Sequence, residues 1–187
     1  MRLRLITAPA GEVVSSAEAK AHLRVDNIDD DALIIAYLTA ARAHLDGRDG
    51  ILGRALLTQT WELVLDAFPV AAISLPLPPL QSITSIKYQD SSNVEQTLDA
   101  SDYVVDATSE PARVHPVNAW PSTYVTPNAV TVRFVAGYGN ASAVPEPIKT
   151  AIKLKVQALY DNVPPDQMAA IDRASDALTW PYRVMSV

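Results

Sequence analysis

The chain has 187 residues, 49% hydrophobic and 19% charged, which is enough apolar material for a buried core and argues against global disorder. Fifteen basic against 21 acidic side chains give a net charge of -6, a field that repels nucleic acid and speaks against a general DNA-binding module. Cysteine is absent, which excludes disulfides, a thiolate nucleophile and a cysteine-ligated zinc site.

The opening "MRLRLITAPAGEVV" places basic residues before a short apolar piece, with Glu12 close behind. It lacks the apolar run of about 7–15 residues that a signal peptide needs. No run elsewhere approaches the roughly 20 residues of a membrane span, so a soluble, untargeted protein is expected. Ser15 with Glu18 has the spacing of a capping box and predicts a short helix over about Ser16–Leu23. Asp29, Asp30 and Asp31 follow. A calcium-type loop would need carboxylates at alternate positions and a glycine turn, whereas Ala32, Leu33 and Ile34 come next. The aspartates therefore read as a helix start, with Asp29 as N-cap and Asp30 and Asp31 in the first turn, favoured by about 0.5–2 kcal/mol of capping and dipole energy. Leu33, Tyr37, Ala41 and Leu45 recur at helical spacing beside Ile34 and Leu38, and Gly47 is placed to end the helix.

After Gly53 the pattern changes. In "TQTWELVLDAFP", Trp61, Leu63 and Leu65 alternate with Thr60, Glu62 and Val64, the period of a strand. "AAISLPLPPLQSITSIKYQD" predicts two strands around a proline-rich crossing from Leu77 to Leu80, and "DSSN" a turn. "YVVDA", "ARVHP" and "AVTVRFVAGYG" add short strands. Fourteen prolines suit a β-region with irregular connections and blunted edges.

"VPEPIKTAIKLKVQALYDN" returns to helix, with Pro147 in the first turn and Glu146 at the positive end of the dipole. Ile148, Ile152, Val156 and Leu159 form its apolar stripe, and Lys149, Lys153 and Lys155 lie mostly off it. Segregated helices and strands predict an α+β fold. Helices over about 15–47 and 145–161 pack as a small helical core, an antiparallel β-lobe is inserted over about 54–138, and residues 163–187 form an extended C-terminal tail.

Candidate chemistry is sparse. His22, His44 and His115 fall in no metal-binding or triad pattern, and no serine sits in a nucleophile elbow. "AGYGNAS" lacks the third glycine and the lysine of a phosphate-binding loop and reads as a turn leaving a strand. Lys149, Lys153, Lys155, Arg133 and Arg113 read as solvated positive charges rather than a nucleic-acid surface. No catalytic, cofactor-binding or metal-binding residue is nominated, and no enzyme is expected. Trp180, Pro181, Tyr182 and Arg183 stand out, because aromatics beside arginine dominate interface hot spots. Two readings fit them: a tail tied back onto its own core, or one inserted into a partner.

The ordered set "SSAEAKAHLRVDNIDDDALIIAYLTAARAHLD", "RALLTQTWELVLDAFP", "ISLPLPPLQSITSIKYQD", "VTVRFVAGYG", "VPEPIKTAIKLKVQALYDN" and "ALTWPYRV" resembles the head–tail connector (adaptor) proteins of long-tailed bacteriophages and gene transfer agents. The likeness spans nearly the whole chain. It implies a structural virion neck protein made in the host cytoplasm. Such a protein forms a ring of about a dozen subunits under the portal, joins the filled head to a stopper or tail-completion protein, and lets double-stranded DNA pass without specific binding. The resemblance carries portal docking onto residues 163–187, and within them onto Trp180, Pro181, Tyr182 and Arg183. No cofactor and no membrane are implied. A second class, a DNA-packaging or head-completion factor that contacts DNA directly, would show salt-dependent affinity for duplex DNA.

Overall fold

The computed structural model describes residues 2–184, which form two compact units: residues 2–9 with Thr58–Gly137, and Ala10–Leu57 with residues 138–184. The first carries the strands and the second the α-helices, the segregation expected of an α+β fold.

The helical unit contains α1 (Ser16–Leu23), α2 (Asp31–Leu45), α3 (Glu146–Tyr160) and α4 (Pro165–Thr179). The capping box at α1 is present: Glu18 N–H donates to Ser15 Oγ at 3.2 Å, and Ser15 N–H donates to the Glu18 carboxylate at 2.8 Å. At α2 the N-cap is Asp30 rather than Asp29, and no aspartate side chain caps the helix amides. The three carboxylates are separated instead. Asp30 accepts from the Tyr160 hydroxyl at 2.7 Å, Asp31 pairs with Lys20 at 2.5 Å, and Asp29 N–H donates to the Asn27 side chain at 3.0 Å. The start of α2 is thereby tied to α3 and α1 by side chains far apart in sequence, which local capping rules do not register. Gly47, at φ +76, follows the end of α2 in the left-handed conformation that favours glycine.

The core of this unit is the apolar stripe of α2 (Ile34, Leu38, Leu45) against Ile148, Ile152 and Val156 of α3, closed by Val13, Val14, Leu52 and Leu56. Leu159 is only partly buried, whereas Lys149, expected off the stripe, is buried with its ammonium 2.8 Å from Glu146. The largest departure is α4. The segment read as an extended tail is helical, with Met168, Ile171, Ser175 and Leu178 turned towards the unit and Leu178 packed on its core. Ser175 interrupts that stripe with a small polar residue, so the helical period is weak in the sequence. Lys155 of α3 is ion-paired with Asp172 of α4. Residue 1 and the end of the tail reading, residues 185–187, lie outside the described residues.

The strand unit holds β1 (Arg2–Thr7), β2 (Gln59–Leu65), β3 (Ile73–Leu75), β4 (Leu80–Gln89), β5 (Glu95–Thr97), β6 (Tyr103–Asp106), β7 (Ala112–Pro116) and β8 (Val130–Ala136). They form a five-stranded sheet in the order β1-β2-β8-β4-β5 and a three-stranded sheet in the order β3-β7-β6, with every pairing antiparallel. The predicted strands are all present; β1 and the short β5 are additional. The Arg-Leu-Arg-Leu alternation of β1 is the strand period, in a stretch read above only for targeting signals. Trp61 of β2 pairs with Phe134 of β8, and Phe134 is fully buried. Glu62 and Val64, on the other face of β2, are also buried; β2 is an interior strand, and Glu62 lies between Arg4 of β1 and Arg133 of β8. The "DSSN" turn is held by Asp90, whose carboxylate accepts from the N–H groups of Ser92 and Val94 at 2.9 and 3.1 Å.

After β6, Asp106 accepts from the Ser109 hydroxyl at 2.5 Å and from the N–H groups of Ser109 and Thr108 at 3.1 and 3.0 Å. The Ser109 hydroxyl first, and then the two amides, hold this carboxyl down at about 2. A depressed folded value means its stabilisation is complete above the ordinary aspartate range and is lost as pH falls through about 2. Carboxyl-carbon NMR is expected to show that midpoint, and Ser109→Ala to move it up towards the ordinary value of 3.8. A titration unchanged by Ser109→Ala would disprove the assignment.

Candidate partner-binding site

The residues singled out at the C-terminal end follow α4 directly, as a single 3-10 turn over Trp180–Tyr182. Pro181 fits the start of that turn because its missing N–H would be unpaired there anyway. The four side chains divide in two. Trp180 is 61% exposed, and Pro181 and Arg183 are exposed beside it. Tyr182 instead packs on the core of the helical unit.

Backbone anchors hold the turn in place. Arg54, itself only 5% exposed, donates from Nε to the Tyr182 carbonyl at 2.6 Å and from its guanidinium to the Tyr138 hydroxyl at 2.9 Å. The same guanidinium lies 5.7 Å from the centroid of the Tyr138 ring. Val184 N–H donates to the Leu52 carbonyl at 2.9 Å, passing Gly53, which sits at φ +63. A buried arginine fixed to a carbonyl is a rigid clamp, since its fork cannot turn without losing several partners at once.

Two hollows that share Ile51, Asp176 and Arg183 open beside the exposed tryptophan. One, of about 160 Å³, is lined further by Leu52, Thr179 and Trp180, and the other, of about 240 Å³, by His44, Lys155 and Asp172. An exposed indole next to an arginine, a hollow with apolar floor and charged rim, and a stiff backbone beneath are the features of a protein-contact site. Sequence reading found the aromatics and missed Arg54, Asp176 and His44 as their surroundings. The one signal for Arg54 is a lone charge inside "ILGRALL", where a cation among apolar residues needs buried partners.

The other candidates do not converge. His22 is 3.1 Å from Gln157, His44 lines the hollow just described, and His115 is exposed on β7. Gly137 closes β8 through its N–H to the Pro79 carbonyl, and Asn140 caps the short 3-10 turn that follows, so "AGYGNAS" is a turn leaving a strand. Lys149, Lys155 and Arg133 are each paired with a carboxylate, Glu146, Asp172 and Glu62 respectively. Among the described residues no group of three metal-ligating side chains comes together, and no helix is long and apolar enough to cross a membrane.

Comparison of the whole fold gives the chain its class. A chain from the neck of an empty gene transfer agent (GTA) particle, computed with C6 symmetry, matches at 25% identity and TM-score 0.79, over 100% of this chain and 97% of that one. A chain from the virion of a native GTA particle matches at 28% identity and TM-score 0.80, with the same coverage. A chain from the neck of a native GTA particle, computed with C12 symmetry, matches at 28% identity and TM-score 0.77, again end to end. No protein-family model and no curated protein matches. The fold is that of a structural neck protein. The chain resembles the head–tail neck, or adaptor, proteins of gene transfer agents, as the ordered motifs led one to expect.

Proposed function

We propose that the chain forms a ring of about a dozen subunits beneath the portal of a virion or gene transfer agent particle, joining the DNA-filled head to the tail and lining the channel through which DNA passes. The observation that carries this is the end-to-end match to neck chains solved with six-fold and twelve-fold symmetry. A net charge of -6 supports passage of DNA without a grip on it. In this reading the stopper or tail-completion protein binds the opposite rim, and Trp180, with Pro181 and Arg183 beside it, inserts into the portal while Tyr182 holds the turn to its own subunit. The function is mechanical, with no chemical step.

Mass photometry and negative-stain imaging of the purified protein, alone and with its portal, test the proposal. Rings seated on the portal are expected. A chain that neither forms rings nor binds portal would overturn it. Trp180→Ala is expected to weaken portal binding by roughly thirtyfold, the weight of a hot-spot residue of about 2 kcal/mol. Because the indole is largely in solvent, thermal stability should stay within about 0.5 kcal/mol of the parent. Unchanged portal affinity would remove Trp180 from the contact.

A further inference from the structure

A ring closed by rotation needs two different patches on each subunit, one received by the next. The strand unit carries two such patches, of opposite charge and on different sheets. The first is a face of the five-stranded sheet. Register places Arg4, Glu62, Arg133 and Ser85 in one row across four strands, and Arg2, Val64, Thr131 and Lys87 in the next. The Glu62 side chain is only 5% exposed and is shared by two guanidiniums, Arg4 at 2.6 Å and Arg133 at 2.6 Å. Burial pushes this carboxyl up, but the hydrogen bonds from Arg4 and Arg133 outweigh it and hold it below the usual range, so it is ionised. Around it lies a hollow of about 260 Å³ lined by Arg4, Arg133, Ser85, Thr131 and the ion pair of Lys87 with Glu95 at 2.8 Å. Four cations thus meet two carboxylates, and two hydroxyls add donors, on a face of an otherwise acidic chain.

The second patch is the stretch "DASDYVVDATSEP", Asp99 to Pro111, which has four carboxylates and no lysine or arginine. It builds the edge strand β6 of the other sheet, with Asp99 capping the 3-10 turn before it and Asp106 the turn after it. Val104 and Val105 are 60% and 38% exposed on that edge. Acidic side chains on an edge strand deter indiscriminate pairing. Here they also give the segment a charge opposite to that of the basic face.

We infer that the basic face of the five-stranded sheet receives the acidic β6 segment of a neighbouring copy of the same chain, making the head-to-tail contact of the ring. The inference rests on the ring reading above. Charge complementarity fixes the register of this contact and disfavours the like-with-like alternatives, face to face or edge to edge.

The chain lacks cysteine, so single thiols report the contact cleanly. Ser85→Cys, in the basic hollow, and Ala100→Cys, exposed beside the acidic turn, are each expected to stay monomeric on oxidation. Their mixture should give a cross-linked dimer at least roughly tenfold above either alone, as two distinct patches require. A chain carrying both substitutions should give a ladder. Wild-type rings under the microscope with no cross-link in the mixture would overturn this contact and leave the ring reading standing. Cross-linking without rings would do the reverse, and absence of both would overturn both. A cross-link in either single variant alone would show a symmetric contact and refute the inference. Arg2→Glu with Lys87→Glu spares the Glu62 pairs and is expected to lower cross-linking and ring yield roughly tenfold, as like charges are brought together. Intact rings with a salt-dependent loss of duplex-DNA affinity would instead assign the face to DNA and overturn the proposal.

Discussion

Arg54→Met is expected to destabilise the helical unit by about 1–3 kcal/mol, because two part-buried acceptors, the Tyr182 carbonyl and the Tyr138 hydroxyl, lose the buried donor that serves them. Methionine fills comparable space, so a cavity adds little. All four α-helices belong to this unit, so loss of far-ultraviolet helical signal reports its unfolding directly. Arg54→Lys keeps the charge but not the fork, and should recover less than half of the loss. A transition unchanged by Arg54→Met would show that the clamp contributes nothing net. If the terminal turn is the portal anchor, the same substitution weakens portal binding without touching an exposed residue, since the turn loses its fixed position.

Phe134→Ala is expected to cost about 3–5 kcal/mol, the range for truncating a buried aromatic to alanine. Phe134 is fully buried on β8, in the middle of the five-stranded sheet, and faces Trp61 across the β2 ladder. The loss should appear in the tryptophan signal, because Trp61 is buried in the strand unit. A variant that melts with the parent would mean that the sheet repacks around the gap. Phe134→Leu, which keeps most of the volume, is expected to lose about 1.5 kcal/mol or less if packing is the cause.

The fold was legible wherever a local period or a local hydrogen bond decides structure. Ser15 and Glu18 wrote the start of α1, the alternation from Trp61 to Leu65 wrote β2, and Gly47 wrote the end of α2. It was not legible where a distant side chain decides. Asp30 is the N-cap of α2, but its carboxylate goes to Tyr160, 130 positions away, and no local rule foresees that. The last helix escaped because Ser175 stands where a hydrophobe would have completed its stripe. The aromatic pair at the C-terminal end was visible from composition alone, whereas Arg54, which positions it, was one charge among apolar neighbours. The two charged patches of the strand unit were hidden for a related reason. Arg4, Glu62 and Arg133 lie in three separated stretches, and only the register of the sheet makes them neighbours.

The interleaving of the two units bears on how the chain folds as it is made. Strand β1 is synthesised before α1 and α2, yet its partner β2 follows both, and the helical unit is completed only after β8 has been made. The strand unit has all its pieces once Gly137 has emerged, while α1 and α2 still expose the stripe that α3 will cover. Folding is therefore expected to be ordered, strands first and helices last, and slow for a chain of this length because its defining contacts close long loops. The clamp of Arg54 on Tyr182 spans 128 positions and is among the last contacts to form. Trp180 therefore reaches its final, exposed position only when the rest of the helical unit is built.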